Sequence, residues 1–413
     1  MTAGADLLPV TLLGFTVDDG TMRRVLQREP TMPVQTHTFA WAVLGALQSA
    51  ACRTTVLSVP PVSPFPRYPQ LVFRGGAVEQ GAVNGNLIPY LNLPLLRHAT
   101  RFLGGCWTAL PALRRWRSSV LLVHGVHSPF LWLGVLARAA TGTRIVTMLT
   151  DAPGVSLPGE SAATAVLRRI DTLVVRAALR RYDGIVAVTA DLAHDFAPGR
   201  QWMLMEGIVG EPSEHGPEIP DVPGVPDTPD GRFDIAYAGG LTREYGVDRL
   251  VGAVRSLPDP NVRLLLYGRG DLESWLHHQA AEDPRISVPQ FVPRDVLHAR
   301  LRAASVLVNP RPVAQDIARY GFPSKLVDYL ATGVPVITTA LPGIPEAYHC
   351  GMVLAGADTA AGLAGAISRV RALSPSDARA LGARGRQLLH ARCASTRQGL
   401  RLRRFFETLG ARR

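Results

Sequence analysis

The sequence predicts an α/β protein made of two doubly wound domains, each a parallel sheet covered by helices. Three observations carry this. Short runs of β-branched residues or leucine alternate with Ala/Leu/Arg stretches of helical composition along nearly the whole chain, the pattern left by successive βα units. The length, 413 residues, suits two domains of about 200 residues each. A single stretch dense in Pro, Gly and acidic residues, Glu206 to Gly231, breaks the alternation and suits neither helix nor strand.

Taken in order, the runs predict strands at Val10–Leu13, Thr54–Val59, Val120–Val123, Arg144–Leu149 and Gly184–Val188 in the first half. In the second half they predict strands at Phe233–Tyr237, Val262–Tyr267, Ile286–Val288, Val306–Val308 and Val336–Thr338. The expected domains are therefore 1–205 and 232–377, joined by the linker 206–231. The Arg-rich stretch 378–413 reads as terminal helices, for which a return to the first domain is one packing. Doubly wound sheets bind ligands beyond the carboxyl ends of their strands, so the two sets of strand ends are expected to face a shared central cleft.

Composition removes several classes. Hydrophobic residues at 47% and charged residues at 19% describe a globular chain. Cys52, Cys106, Cys350 and Cys393 have neither CxxC nor Cys/His spacing, which argues against a zinc site and a disulfide framework and fits a reduced, cytoplasmic setting. The opening MTAGADLLPVTLLGF lacks the basic start and apolar run of an export signal. The most apolar region, Ser118 to Met148, is broken by His124, His127, Pro129 and Arg138, so no membrane-spanning helix is expected. A formal net charge of +11 points to an anionic partner without choosing among nucleic acid, membrane and polyanionic substrate.

The segment YGFPSKLVDYLATGVPVI, Tyr320 to Ile337, is the most informative. Pro323 disfavours helix before it, Ser324 can cap, Lys325 to Thr332 reads as helix, and Gly333 ends it. Lys325 then stands in the first turn, where the positive end of the macrodipole disfavours a cation and a bound phosphate would compensate. Asp328, three residues on, can accept hydrogen bonds from ribose hydroxyls; a solvated lysine beside an ordinary first-turn acid is the plainer alternative. Lys325 is the one lysine of the chain against 43 arginines, so whatever bias removed lysine elsewhere did not remove it here.

NPRP (Asn309–Pro312), FPSKLVDYLATGVPVI and TTALPGIPEAY (Thr338–Tyr348), together with AYAGGLTREYGVDRLVGA from Ala236 and LYGRGDLESWL from Leu266, closely resemble the bacterial family-4 glycosyltransferases of capsule and exopolysaccharide assembly. IPYLNLP at Ile88, TDAP at Thr150 and MEGIV at Met205 are weaker matches in the first half. The resemblance implies a GT-B fold of two Rossmann-like domains, an acceptor-binding first domain, a donor-binding second domain, retention at the transferred sugar, and neither cofactor nor obligatory metal. A UDP-sugar is the favoured donor, with GDP- and dTDP-sugars as alternatives.

It also implies residue roles. Asp328 would hold the ribose, and Ser324 and Lys325 the diphosphate, flanked by Tyr320, Phe322, Pro323 and Leu326. Tyr320 replaces the first acid of the family's paired-glutamate motif, while Gly240 and Tyr245 stand where its Arg and Lys are usual, which leaves Arg243 as a candidate phosphate ligand. Gly239, Gly240, Gly268, Arg269, Gly270 and Gly343 are candidate places where backbone approaches the donor, although turns alone account for glycines of this kind. In the first half, Gly14 and Phe15 end the first strand. His127 resembles a histidine that contacts the donor sugar, and Asp151 follows a strand on the acceptor side.

Two basic stretches carry the remaining charge: Arg97–Arg117, with Arg101, Trp107, Arg114, Arg115 and Trp116, and the helix with Arg168, Arg169, Arg176, Arg180 and Arg181. Arg, Trp and Leu at helical spacing suit the surface of an anionic membrane, where a lipid-linked acceptor would be met; a solvated helix face is the alternative. No nucleic-acid-binding module is recognisable. A nucleotide-sugar epimerase of the same fold and a noncatalytic partner protein are the rival readings.

Overall fold

The computed structural model describes residues 7–29, 32, 35–154, 161–210, 232–289, 292–313 and 316–410. The chain forms two compact units: Met1–Ile208 with Cys393–Arg413, and Val209–Arg392. Of the expected linker, 211–231 lies outside the described residues.

The first unit contains β1 (Leu8–Gly14), α1 (Asp19–Arg28), α2 (Gln35–Ser49), β2 (Cys52–Ser58), β3 (Val72–Phe73), β4 (Gly76–Gln80), β5 (Val83–Leu87) and β6 (Tyr90–Leu91). It continues with α3 (Leu96–Trp116), β7 (Val120–His124), α4 (Ser128–Thr141), β8 (Arg144–Leu149), α5 (Ala162–Leu179), β9 (Gly184–Ala187), α6 (Ala190–Phe196) and β10 (Gln201–Leu204). Its main sheet has the order β10-β9-β8-β7-β1-β2-β5-β4, parallel except for the β4–β5 pair. The central strands read as continuous apolar runs because both faces are covered: Leu12, Leu122 and Val146 pack with Val43, Leu44 and Leu47 of α2 on one side. The chain leaves β1 first toward β2 and later returns to β7 on its other flank, so the switch in direction falls between β1 and β7.

The second unit contains β11 (Phe233–Ala238), α7 (Val247–Ser256), β12 (Val262–Tyr267), α8 (Glu273–Glu282), β13 (Ile286–Ser287), α9 (Arg294–Ala303) and β14 (Val306–Asn309). Then come α10 (Ser324–Thr332), β15 (Val336–Thr338), β16 (Val353–Leu354), α11 (Ala360–Arg371) and α12 (Pro375–Cys393). The all-parallel order β13-β12-β11-β14-β15-β16 puts the switch between β11 and β14. Ile235, Leu264, Val306 and Ile337 pack against Leu250 and Val254 of α7 and Leu363 and Ile367 of α11. At the start of β11 the buried Asp234 accepts from Arg263 of β12 through both carboxylate oxygens, with Nε at 2.8 Å and Nη2 at 2.6 Å.

The last helix, α13 (Ser395–Thr408), belongs to the first unit and packs along α2. They cross closely because position 399 has no side chain: a Cβ on Gly399 would lie 1.8 Å from the carbonyl oxygen of Ala46. Leu402 and Phe406 enter the sheet's core, and Arg144 donates to the Phe406 carbonyl at 2.7 Å. The terminal helices thus divide, α12 up to Arg392 staying with the second unit.

All ten expected strands are present, and the structure adds β3, β4, β5, β6, β10 and β16. The β4–β5 hairpin escaped the sequence pattern because at the sheet's edge GAVEQ and VNGNL leave their polar residues exposed or half-buried and bury only Val78, Val83 and Gly85. Two other expectations change. Pro323, not Ser324, occupies the N-cap of α10, and Ser324 is the first helical residue with its side chain exposed. Arg101 is not on a solvated helix face but 2% exposed.

Candidate functional site

The strand ends on either side of the β11/β14 switch converge on Lys325. Its ammonium lies 4.3 Å from the ring centre of Tyr237 and 4.1 Å from that of Tyr245, and donates to the Tyr237 hydroxyl at 2.5 Å. That hydroxyl passes the chain on, donating to the Gly240 carbonyl at 2.7 Å. Tyr329, one turn after Lys325 on α10, accepts from the Ala238 amide at 2.7 Å and so fixes the helix to the end of β11. Burial, and next the like charge of Arg311, lower the Lys325 pKa to about 7. Burial likewise raises the hydroxyls of Tyr237 and Tyr329, so both remain protonated donors. Arg311, from the loop after β14, lies 5.8 Å from the Tyr245 ring centre, and its Nε is buried without a hydrogen-bond partner among the described residues.

The glycines here make close approach possible. Gly239, at φ 149°, leaves the space the lysine uses, since a Cβ there would lie 2.1 Å from Lys325 Cε. Gly268, at φ 148°, stacks backbone on backbone: its Cβ would be 1.8 Å from the Gly239 carbonyl oxygen. Within α10 the Leu326 amide already bonds the Pro323 carbonyl, while the amides of Ser324 and Lys325 precede any intrahelical partner. Two cations, helix-end amides and glycine backbone gathered at a sheet's switch point are the elements of an anion site.

The other expected residues fall around this centre to different degrees. Gly240 and Gly270 belong to the loops after β11 and β12, where a Cβ on Gly270 would lie 2.3 Å from the Leu241 oxygen. Pro323 and Leu326 are buried in the α10 start, and Phe322 packs its ring 5.3 Å from that of Tyr348. Gly343, after β15, lies against the Gly321 carbonyl, 2.4 Å from where its Cβ would be. Asp328 is exposed on α10, Arg269 is exposed after β12, and Tyr320 is half-buried with Arg319 over its ring. Arg243 is exposed and pairs with Asp248 at 3.7 Å.

The first unit has its own assembly at the β1/β7 switch. Gly14 ends β1 packed on His124, whose Cβ lies 3.1 Å from where a Gly14 Cβ would be. Phe15 follows, with its ring 5.2 Å from those of His127 and Phe130. His127 is the N-cap residue of α4, held well below its ordinary pKa by burial, then by Arg101, His98 and Arg97. His124, fully buried, is lowered by burial to about 4. Both histidines are therefore neutral at pH 7. Asp151 stands apart from this group, exposed after β8 and accepting from its neighbour Thr150.

Three members of the Lys325 surroundings carry no assigned role in the sequence reading: Tyr237, Tyr245 and Arg311. Tyr245 registers there only as a departure from a usual lysine, and Arg311 only as part of NPRP. A tyrosine two residues before a Gly-Gly strand end was the available signal.

Comparison with known proteins places this geometry. Residues 232–372 match the family model described as "Glycosyl transferases group 1". WcaL of Salmonella typhimurium, named as a colanic acid biosynthesis glycosyltransferase, is 31% identical over 116 residues, covering 27% of this chain and 29% of the relative's length. The aligned part is thus less than a third of that protein. Among solved structures, a sucrose-phosphate synthase from Thermosynechococcus elongatus superposes with a TM-score of 0.68 at 18% identity, covering 98% of this chain and 99% of the other. HepE of Anabaena, in complex with UDP, gives 0.63 at 12% identity over 97% and 100%. The fold is therefore that of the GT-B glycosyltransferases, with two Rossmann-like parallel-sheet units.

Proposed function

We propose that the protein is a retaining glycosyltransferase that moves a sugar from a nucleotide-sugar, UDP-linked by preference, to a hydroxyl of a lipid-linked, glycan or small-molecule acceptor. The observation that carries this reading is Lys325: a half-buried ammonium at a helix start, clamped by two tyrosines and beside a second cation, has no structural use that an apolar residue would not serve better. The family match over 232–372 and the UDP bound to HepE support the same assignment.

In this reading the donor diphosphate lies on the first turn of α10. The amides of Ser324 and Lys325, the Lys325 ammonium and Arg311 take its charge, and no obligatory metal is involved. Gly239, Gly240, Gly268 and Gly270 admit its oxygens to the backbone, and Asp328 accepts from the ribose hydroxyls. The acceptor hydroxyl attacks the anomeric carbon on the face from which the diphosphate departs. The bond from that carbon to the diphosphate oxygen breaks as the new glycosidic bond forms, and the hydroxyl proton passes to the departing oxygen. Lys325 and the amides gain most as charge builds on the leaving group.

Peripheral contact with an anionic membrane is part of the proposal. Leu96, Leu103 and Trp107 of α3 are exposed, Trp107 by 84%, and α5 exposes Val166, Leu167, Ile170 and Leu173 beside Arg169, Arg176 and Arg180. Among the described residues no helix is long and apolar enough to cross a membrane. Flotation with phosphatidylglycerol vesicles is expected to carry the protein up, and Trp107→Ser with Leu103→Ser to weaken it; equal flotation with neutral vesicles removes the anionic-surface reading. The test of the donor site is calorimetry with UDP, GDP and dTDP on wild type and Lys325→Ala. One nucleotide is expected to bind and to weaken at least tenfold in the variant; no nucleotide binding by wild type sinks the reading.

A further inference from the structure

Arg101 is a buried cation that the proposed donor chemistry does not use. Two glycines in the next turn bring α3 in close enough to bury it. A Cβ on Gly104 would lie 2.0 Å from the Pro89 carbonyl oxygen, and one on Gly105 would lie 2.4 Å from Leu133 Cδ2. The guanidinium lies 4.5 Å from the ring centre of Tyr90 and 5.4 Å from that of Phe15, at the end of β1. Among the described residues its Nε and Nη2 are buried with no geometrically close hydrogen-bond partner, and no ion pair joins it to an acid. On Arg263 the same two nitrogens hold both oxygens of Asp234. One buried guanidinium fork in this chain is thus matched by two oxygens of a carboxylate, and the other meets, among the described residues, the neutral Tyr90 hydroxyl and no acid.

The surroundings compound the charge. Arg97 and His98 stand one turn and three residues before it on α3, and His127 lies with its Nε2 buried and unpartnered and its ring 5.2 Å from that of His98. Arg97 and both histidines are pushed down, first by burial and then by one another and Arg101. Among the described residues, Asp171 of α5 is the acid whose charge acts on His98. A guanidinium edge with two parallel donors, flanked by a second arginine and by ring N–H groups, matches a tetrahedral oxyanion with two negative charges better than a single carboxylate.

We infer that Arg101, with Arg97 and His127, forms a binding site for a phosphoryl group carried by the acceptor, at the β1/β7 strand ends of the first unit. This rests on the reading that the first unit receives the acceptor. Phe15 and Tyr90 keep water from the fork and strengthen the contact. An open apolar groove of about 320 Å³, lined by Val72, Phe73, Pro89, Leu91 and Leu103, shares Tyr90 with the site and offers a path for whatever the phosphate is attached to. That group is either a soluble phosphorylated molecule or a lipid phosphate.

The test uses the full chain at pH 8 with saturating UDP present, so that Lys325 does not compete for the probe. Inorganic phosphate is expected to bind wild type at one site and raise its melting temperature. Arg101→Gln is expected to bind it at least tenfold more weakly, yet to melt no lower than wild type in phosphate-free buffer, because a buried charge without a partner has been removed. Arg97→Gln and His127→Ala, nearer the rim, should each weaken phosphate by about threefold to tenfold. If wild type ignores free phosphate but binds neutral vesicles doped with phosphatidic acid, and Arg101→Gln abolishes that, the site stands and its source is a lipid. The inference is overturned if wild type binds neither probe, or if Arg101→Gln melts lower without phosphate and Arg97→Gln and His127→Ala bind phosphate as wild type does, which makes Arg101 a packing element. UDP titration of the same proteins, prepared without UDP or phosphate, reports separately on the donor site, so loss of one reading is not mistaken for loss of the other.

Discussion

At the end of β11 an ammonium lies against Tyr237 and Tyr245, and at the end of β1 a guanidinium lies against Phe15 and Tyr90. Both are cations at the switch point of a parallel sheet, both are wrapped in aromatic rings, and both have a second arginine for a neighbour. The difference is in what each can do when no anion is present. Lys325 can give up its proton, and with a pKa of about 7 it does so near neutrality. Arg101 cannot, because a guanidinium stays charged at any pH the protein survives. The second unit's site can relax between ligands, while the first unit's site carries its charge permanently.

The comparison breaks most decisively at Lys325. Lys325→Ala is expected to cut turnover by about 10²- to 10³-fold, the usual loss when a donor to developing charge is removed, with circular dichroism unchanged. Turnover within threefold of wild type would leave the ammonium as a packing element and end the parallel. Asp234→Asn probes the matched fork: it should cost about 3–5 kcal/mol in a denaturant titration, as breaking a buried pair does, whereas Arg101→Gln should cost nothing. Equal losses at the two arginines would erase the distinction between them.

A smaller effect follows from protonation. UDP-glucose, a diphosphate diester, does not titrate between pH 6 and 9. Bound diphosphate raises the Lys325 pKa above its free value of about 7, so binding takes up a proton wherever the free lysine has lost one. Affinity should be level below pH 7 and fall about fivefold from pH 7 to pH 8, then about tenfold per unit until the bound pKa is passed. Sulfate binding at Arg101 should change far less from pH 7.5 to 9, since burial holds His98 and His127 below their ordinary range and raises the Tyr90 hydroxyl. Calorimetry across that range reads both. The smallest change is expected at Asp151, exposed and bonded to its neighbour: Asp151→Asn should alter kcat/KM by no more than about twofold. A loss of a hundredfold would restore a catalytic role to it.

The parallel strands were legible because strands buried on both faces are written as near-continuous apolar runs such as VLLVH and VRLLLY. The hairpin at the sheet's edge was not, since one face of it meets solvent and its alternation is short. Lys325 was legible as a lone lysine beside a capping pattern. Its surroundings were not, because Tyr237 and Tyr245 reach it from the end of β11 and the turn after it, Arg311 from the loop after β14, and nothing in their local sequence says they meet. Arg101 was misplaced for a related reason. Helical composition tells that an arginine lies on some face of α3, but Gly104 and Gly105 decide that this face is pressed inward, and close approach is a property of the partner strand and helix as much as of α3 itself.

The return of α13 to α2 has a consequence for how the protein comes into being. The face of α2 formed by Leu44 and Leu47 shares a core with Leu402 and Phe406, which the ribosome adds some two hundred residues after the rest of that unit has emerged. At about 5–20 residues per second, that interval is about 10 to 40 s. During it the first unit is a sheet with one flank unsealed, while the second unit, contiguous in sequence, can close on its own. The nascent chain therefore finishes the later unit before the earlier one, and the apolar flank of α2 is where a chaperone would be needed.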